Sequence, residues 1–249
     1  MNLRLKLISC EIFFREMCAT AARSPHFVDI DFLPKGLHDI GSEKMLERVQ
    51  EVVDRVQNGY DAILLGYGLC NNGLAGLKAR TIQVVLPRAH DCITMFMGSK
   101  ERYLEYFNSH PGVYFKTTGW IERGEAGGEL RQLSVQNQLR IDMSYDQLVA
   151  KYGEDNARFL FEQLGFSKNY GQFTFIEMGI EPDQHFEEHT RNLAEERGWK
   201  FEKLQGDLSM IQRLVDGNWD EKEFLVIPPG WHVSARYDED IVKAEETPL

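Results

Sequence analysis

No apolar run in this chain approaches the ~18 residues that a membrane-spanning helix needs. Positive charge is also in short supply. Lys and Arg number 28 against 39 Asp and Glu, for a formal charge of −11. That balance argues against a nucleic-acid surface, because phosphate binding needs gathered Lys and Arg. Cysteine is scarce too, with four in 249 residues. Four are too few for a disulfide scaffold, which leaves metal binding, catalysis or burial. No G-x-x-x-x-G-K-[ST] segment occurs, which rules out a P-loop. Gly66-x-Gly68 follows the third strand, not the first, and lacks the G-x-G-x-x-G spacing of a dinucleotide turn. Residues 1–9 alternate Leu with Asn, Arg and Lys and read as a strand, not as a signal peptide. The expectation is a cytoplasmic protein with reduced thiols.

What is present is ordinary globular composition with strands and helices in alternation. Strands are expected at 3–9, 27–33, 61–65, 82–86 and 112–117, with helices at 11–22 and 92–107. The clearest amphipathic helix carries Met45, Leu46, Val49, Val52, Val53 and Val56 at helical spacing behind Ser42 as N-cap. Residues 121–140, with Gly124, Gly127 and Gly128 among charges, read as an excursion leading into a helical stretch near 144–165. The pattern then returns, with strands at 173–178, 200–204 and 224–227 around helices at 183–197 and 208–215.

The predicted fold is α/β and Rossmann-like, a mainly parallel sheet built from two pseudo-repeated strand–helix–strand–helix–strand halves. Residues 1–120 form the first half, 121–170 a connection, 171–235 the second half and 236–249 a frayed acidic tail. A cleft is expected where the strand ends of the two halves face each other.

Chemistry gathers past the ends of three apolar runs, at Cys10, at Cys70 and at the pair His90 and Cys92. In a doubly wound sheet of order 2-1-3-4-5 the first, third and fourth strands are neighbours. Adjacent strands lie ~4.8 Å apart, so the outer two ends are roughly 10 Å apart, a gap that short loops close. Cys10, Cys70, His90 and Cys92 could then surround one metal ion, with zinc first and iron second for this soft donor set. The structural alternative is plain burial, since free cysteine packs as a small hydrophobe. Cys18, inside the first helix, is assigned to packing. A second functional reading takes Cys70 or Cys92 as a nucleophile, with His90 as its base and a helix N-terminus lowering the thiol pKa.

Further candidates line the expected cleft as ligand-binding residues: Gly68, Asn71 and Asn72 after the third strand, Arg88 beside the cluster, Thr118 and Trp120 after the fifth strand, and Trp231 and His232 after the last. Core packing or a salt bridge is the plain alternative for each. His185-Phe186-Glu187-Glu188-His189 fits the H-x-x-E-H pattern of a zinc hydrolase helix, but its surroundings look solvated.

The blocks Leu65-Gly66-Tyr67-Gly68-Leu69-Cys70-Asn71-Asn72-Gly73, Leu86-Pro87-Arg88-Ala89-His90-Asp91-Cys92-Ile93-Thr94 and Thr117-Thr118-Gly119-Trp120 resemble the DUF1638 family of bacterial and archaeal proteins. The resemblance implies association with corrinoid-dependent methyl-transfer systems. His90-x-Cys92 with a distant cysteine is also similar to the zinc site of cobalamin-linked thiol methyltransferases, although here the extra cysteines lie upstream. No Asp-x-His-x-x-Gly motif is present, so any corrinoid would come from a partner. The expected function is metal-dependent binding or activation of a small thiol or methyl donor. The alternatives are the cysteine nucleophile and a non-catalytic accessory protein that uses the same cleft for binding alone. The expected partners are a small molecule and a corrinoid or methyltransferase protein.

Overall fold

Two seven-residue runs free of glycine and proline become the first strands, β1 (Arg4–Cys10) and β2 (Phe27–Leu33), with the helix α1 (Phe14–Ala21) between them. They belong to a computed structural model that describes residues 2–70, 72–125, 153–163, 170–236 and 238–247, together with 146, 149 and 150. A second helix, α2 (Ser42–Asp54), buries Met45, Val49 and Val53. Its N-cap is Gly41 at φ 93° and not Ser42, because the left-handed turn into the helix falls one residue earlier.

Helix α2 leads to β3 (Ala62–Gly66), whose five residues are all buried, and β4 (Val84–Pro87) follows. β1 pairs in parallel with β2 and with β3, and β3 with β4, so β3 lies between two parallel neighbours. A continuous apolar run is what a strand covered on both faces requires.

After β4 the chain leaves this sheet. The expected helix at 92–107 is two helices, α3 (Cys92–Met97) and α4 (Lys100–Ser109). Gly98 ends the first at φ 80°, and a Cβ there would lie 2.7 Å from the Asp207 side chain. Beyond this break the chain does not return directly to the first sheet. β5 (Val113–Lys116) therefore does not take the fifth place beside β4. It pairs in parallel with β6 (Gln172–Glu177), which pairs with β7 (Lys200–Gln205), in a second sheet. The helix α5 (Glu154–Gln163) precedes β6, α6 (His185–Arg197) joins β6 to β7, and α7 (Ser209–Val215) follows β7.

The vacant edge is filled by β8 (Phe224–Ile227), which runs antiparallel to β4. The first sheet thus has the order β2-β1-β3-β4-β8 and the second β5-β6-β7. The fold is mixed α/β, mainly parallel and Rossmann-like. Its strands nonetheless cross between sheets, and the two segments do not each build their own.

The acidic tail is not frayed over its length. β9 (Trp231–Ala235) and β10 (Val242–Glu246) form an antiparallel hairpin, held in part because Ile241 and Val242 are buried. Most of the expected excursion at 121–140 lies outside the described residues. Phe13 stacks on Phe96 at 4.5 Å between ring centres in the main core. Among the described residues no helix is long and apolar enough to cross a membrane.

Candidate functional site

The parallel strands deliver their C-terminal ends to one side. Cys10 is the last residue of β1 and pairs with Leu33 of β2, so the turn that follows β2, through Pro34, Lys35 and His38, runs beside it. The loop after β3 is locked to the loop after β4. Leu69 N donates to Ala89 O at 2.7 Å and Cys70 N donates to His90 O at 3.0 Å. Gly68 permits that approach, since a Cβ there would lie 2.8 Å from Asp91 Cα. Cys70 sits in the left-handed region at φ 47°. Asp91 caps α3, with Oδ1 accepting from Ile93 N at 3.0 Å and Oδ2 accepting from the Tyr103 hydroxyl at 3.0 Å. These contacts hold Cys92 at the start of α3.

A fourth wall comes from the second sheet. After β5, Gly119 packs so tightly on the turn following β1 that a Cβ would lie 1.7 Å from Ile12 O. That contact carries Trp120 over the strand ends, where Lys35 Nζ lies 4.5 Å from its ring centre. Together these segments enclose a cavity of about 200 Å3 whose wall includes Cys10, Cys70, Cys92, His38, Tyr67 and Trp120. The rest of the lining is mainly apolar, with Ile12, Phe13, Leu37, Met45 and Ile93.

Burial dominates the electrostatics. It pushes the Cys10 thiol up to about 12. Cys70 is raised by burial and then by the charges of Cys10 and Asp91, and Cys92 by burial and then by Asp91, Cys70 and Cys10. The three sulfurs are near enough for their charges to interact, and at neutral pH each is a thiol. Cys92 does open a helix, but desolvation outweighs any lowering by the dipole, the reverse of what an activated nucleophile requires. Burial lowers the His38 pKa and keeps its imidazole neutral.

The family model described as "Protein of unknown function (DUF1638)" matches residues 32–215. The chain belongs to the DUF1638 family. Among curated proteins and among solved structures nothing matches. The DUF1638 match encloses Cys70, Cys92 and Trp120 and begins after Cys10.

In this DUF1638 chain the cavity gathers five of the expected site residues: Cys10, Gly68, Cys70, Cys92 and Trp120. His90 is exposed and stands outside the cavity wall, contributing its backbone carbonyl to the loop lock. Asn71 lies outside the described residues, and Asn72 is exposed. Arg88 is structural. Its guanidinium donates to the carbonyls of Glu221, Asp240 and Val242, docking the terminal hairpin. Thr118 is buried off the cavity.

Trp231 and His232 do not form a far wall. β8 is antiparallel, so Ile227 pairs with Val84 at the start of β4, and the chain emerges at the opposite end of the sheet. There β9 bonds residues 77–79 instead. On α6, Glu187 is engaged by Arg191 and Lys203. Among the described residues no group of three or more His, Cys, Asp or Glu side chains stands arranged to hold a metal ion.

His38, Lys35 and Tyr67 escaped the sequence reading. A signal for the first two existed, because an order of 2-1-3-4 puts the loop after the second strand beside Cys10. Tyr67 lay inside a quoted block, between two glycines, with nothing in its spacing to set it apart.

Proposed function

We propose that this protein binds a thiophilic metal ion, zinc or iron, through Cys10, Cys70 and Cys92, and that the metal-bearing cavity acts on a small molecule. One observation carries the reading: three free cysteines, from three separate strand ends, share the wall of one small cavity. A bound cation supplies the charge that makes thiolates tolerable in such a place, and binding releases their protons. Among the described residues these side chains do not stand arranged for coordination, so binding has to draw the sulfurs together. His38, neutral and on the same wall, is available as a fourth donor in place of His90.

The role proposed for such a centre is to hold a small thiol as a reactive thiolate, the step that thiol-linked methyl transfer needs. A volume of about 200 Å3 is below the usual range for drug-sized ligands, about 300–1,000 Å3. A corrin macrocycle is therefore excluded from the interior, and a corrinoid on a partner would present only its methyl group at the mouth. Metal analysis of anaerobically purified protein, beside Cys70→Ser and Cys92→Ser, tests the proposal. Near-stoichiometric zinc or iron in the wild type, lost in both variants, is expected. Metal-free wild type with four titratable thiols would overturn it.

A further inference from the structure

Apart from its sulfurs and His38, the cavity presents mostly carbon to whatever it holds. Pro34, Leu37, Ile93 and Trp120 stand in its wall, with Ile12 beside them. Tyr67 and Trp120 do carry polar atoms, but the Tyr67 hydroxyl and the Trp120 indole nitrogen have almost no accessible surface. What these two residues turn to the space is therefore ring carbon.

The charged side chains of the wall are already engaged. Lys35 is buried and pairs with Asp39 at 3.7 Å. Asp91 accepts from Ile93 N at 3.0 Å and from the Tyr103 hydroxyl at 3.0 Å. A charge on a bound molecule would leave water with nothing among the described residues set to pair with it, which is among the costliest ways to fill a cavity. Volume sets the length. An apolar cavity of about 150 Å3 takes benzene, so about 200 Å3 suits roughly eight heavy atoms.

We infer that the small molecule of this site is an uncharged thiol with a short hydrocarbon body, its sulfur on the metal and its chain against Pro34, Leu37, Ile93 and Trp120. The inference rests on the reading of the cavity as a metal site that holds a small thiol, and it adds what the rest of that thiol is. On binding, the S–H proton passes to solvent and the thiolate joins the cysteine sulfurs on the ion.

Matched pairs isolate charge from shape. Propanethiol and mercaptoethylamine share one skeleton, isopentanethiol and mercaptopropionate another, and one member of each pair is charged. Anaerobic equilibrium dialysis of the cobalt-loaded and of the metal-free full chain gives the affinities. The uncharged member should bind at least about tenfold more tightly in each pair. From ethanethiol upward each added methylene should tighten binding about fourfold. That gain should stop at about seven carbons, when the space is full. Trp120→Ala opens the wall and should carry the gain on to longer chains. Trp120→Leu should do so to a smaller extent, with less disturbance of the fold.

Charged and uncharged members that bind alike, an affinity flat with chain length, a limit that neither Trp120 variant moves, or no binding of any probe would overturn the inference. Cobalt uptake by the same samples separates the two readings. A chain that loads cobalt without the hydrocarbon preference overturns this inference alone. One that takes up no cobalt yet shows the preference overturns the metal proposal and leaves the hydrocarbon-binding wall standing.

Discussion

Glu16 is a carboxyl group placed where its charge is unwelcome, and replacing it by glutamine should stabilise the fold in a pH-dependent way. It lies on α1 with 1% of its surface exposed, and its Oε2 has no partner among the described residues. Burial pushes its pKa up to about 8, Glu181 and Glu122 add to the shift, and Arg15 opposes it. A group raised on folding contributes stability that is whole below the unfolded pKa and lost as pH climbs through the folded one. At pH 7 the unfolded carboxyl is about 2.5 units above its own pKa, while the folded one is still largely protonated. At about 1.4 kcal/mol per unit, the fold forgoes about 3 kcal/mol there. Glu16→Gln removes this penalty. Urea unfolding at pH 4, 5.5, 7 and 8.5 should show a stability difference near its minimum at pH 4, growing to about 3 kcal/mol at pH 7 and levelling above pH 8. A difference that does not change with pH would refute the reasoning, since Glu16 would then ionise alike in both states.

Other perturbations separate the site from its scaffold. Gly68→Ala places a methyl group 2.8 Å from the Asp91 backbone and should cost about 1–3 kcal/mol. Thermal unfolding and metal stoichiometry should both fall, and an unchanged protein would contradict the loop lock. Arg88→Ala strips a donor from the carbonyls of Glu221, Asp240 and Val242 and should cost about 2 kcal/mol. Limited proteolysis should then cut the terminal hairpin sooner, while metal stoichiometry stays as in the wild type. In metal-free protein near pH 8, iodoacetamide should label Cys18, which the fold leaves exposed and not packed as expected, before the three cavity thiols. Folding stability should fall as pH rises from about 9 toward 12, because Cys10 is protonated in the fold up to about 12. Early labelling of Cys70 or Cys92 would favour the nucleophile instead.

The order of the first four strands was legible because each apolar run is bounded by a turn and followed by a crossover, and right-handed crossovers leave few arrangements. That alone brings Cys10, Cys70 and Cys92 to one end of the sheet. The place of β5 was not legible. Its place rests on pairing with β6, Val113 with Gln172 through Lys116 with Phe175, residues far apart in sequence. The direction of β8 was hidden for a similar reason, since a four-residue apolar run pairs either way and its edge was open only because β5 had gone elsewhere. Trp231 and His232 followed β8 to the wrong end for that reason. His90 looked like a ligand from its spacing to Cys92, but its carbonyl is used in the loop lock and its ring stands outside the cavity wall.

The central claim is that three thiolates share one metal ion, and cobalt(II) substitution counts them. Full-length protein loaded with cobalt under anaerobic conditions should show strong sulfur-to-cobalt charge transfer in the near ultraviolet. Cys10→Ser, Cys70→Ser and Cys92→Ser should each abolish the band together with metal retention, while Cys18→Ser leaves it whole. A spectrum without that band, or one that Cys10→Ser does not change, would contradict the three-thiolate centre.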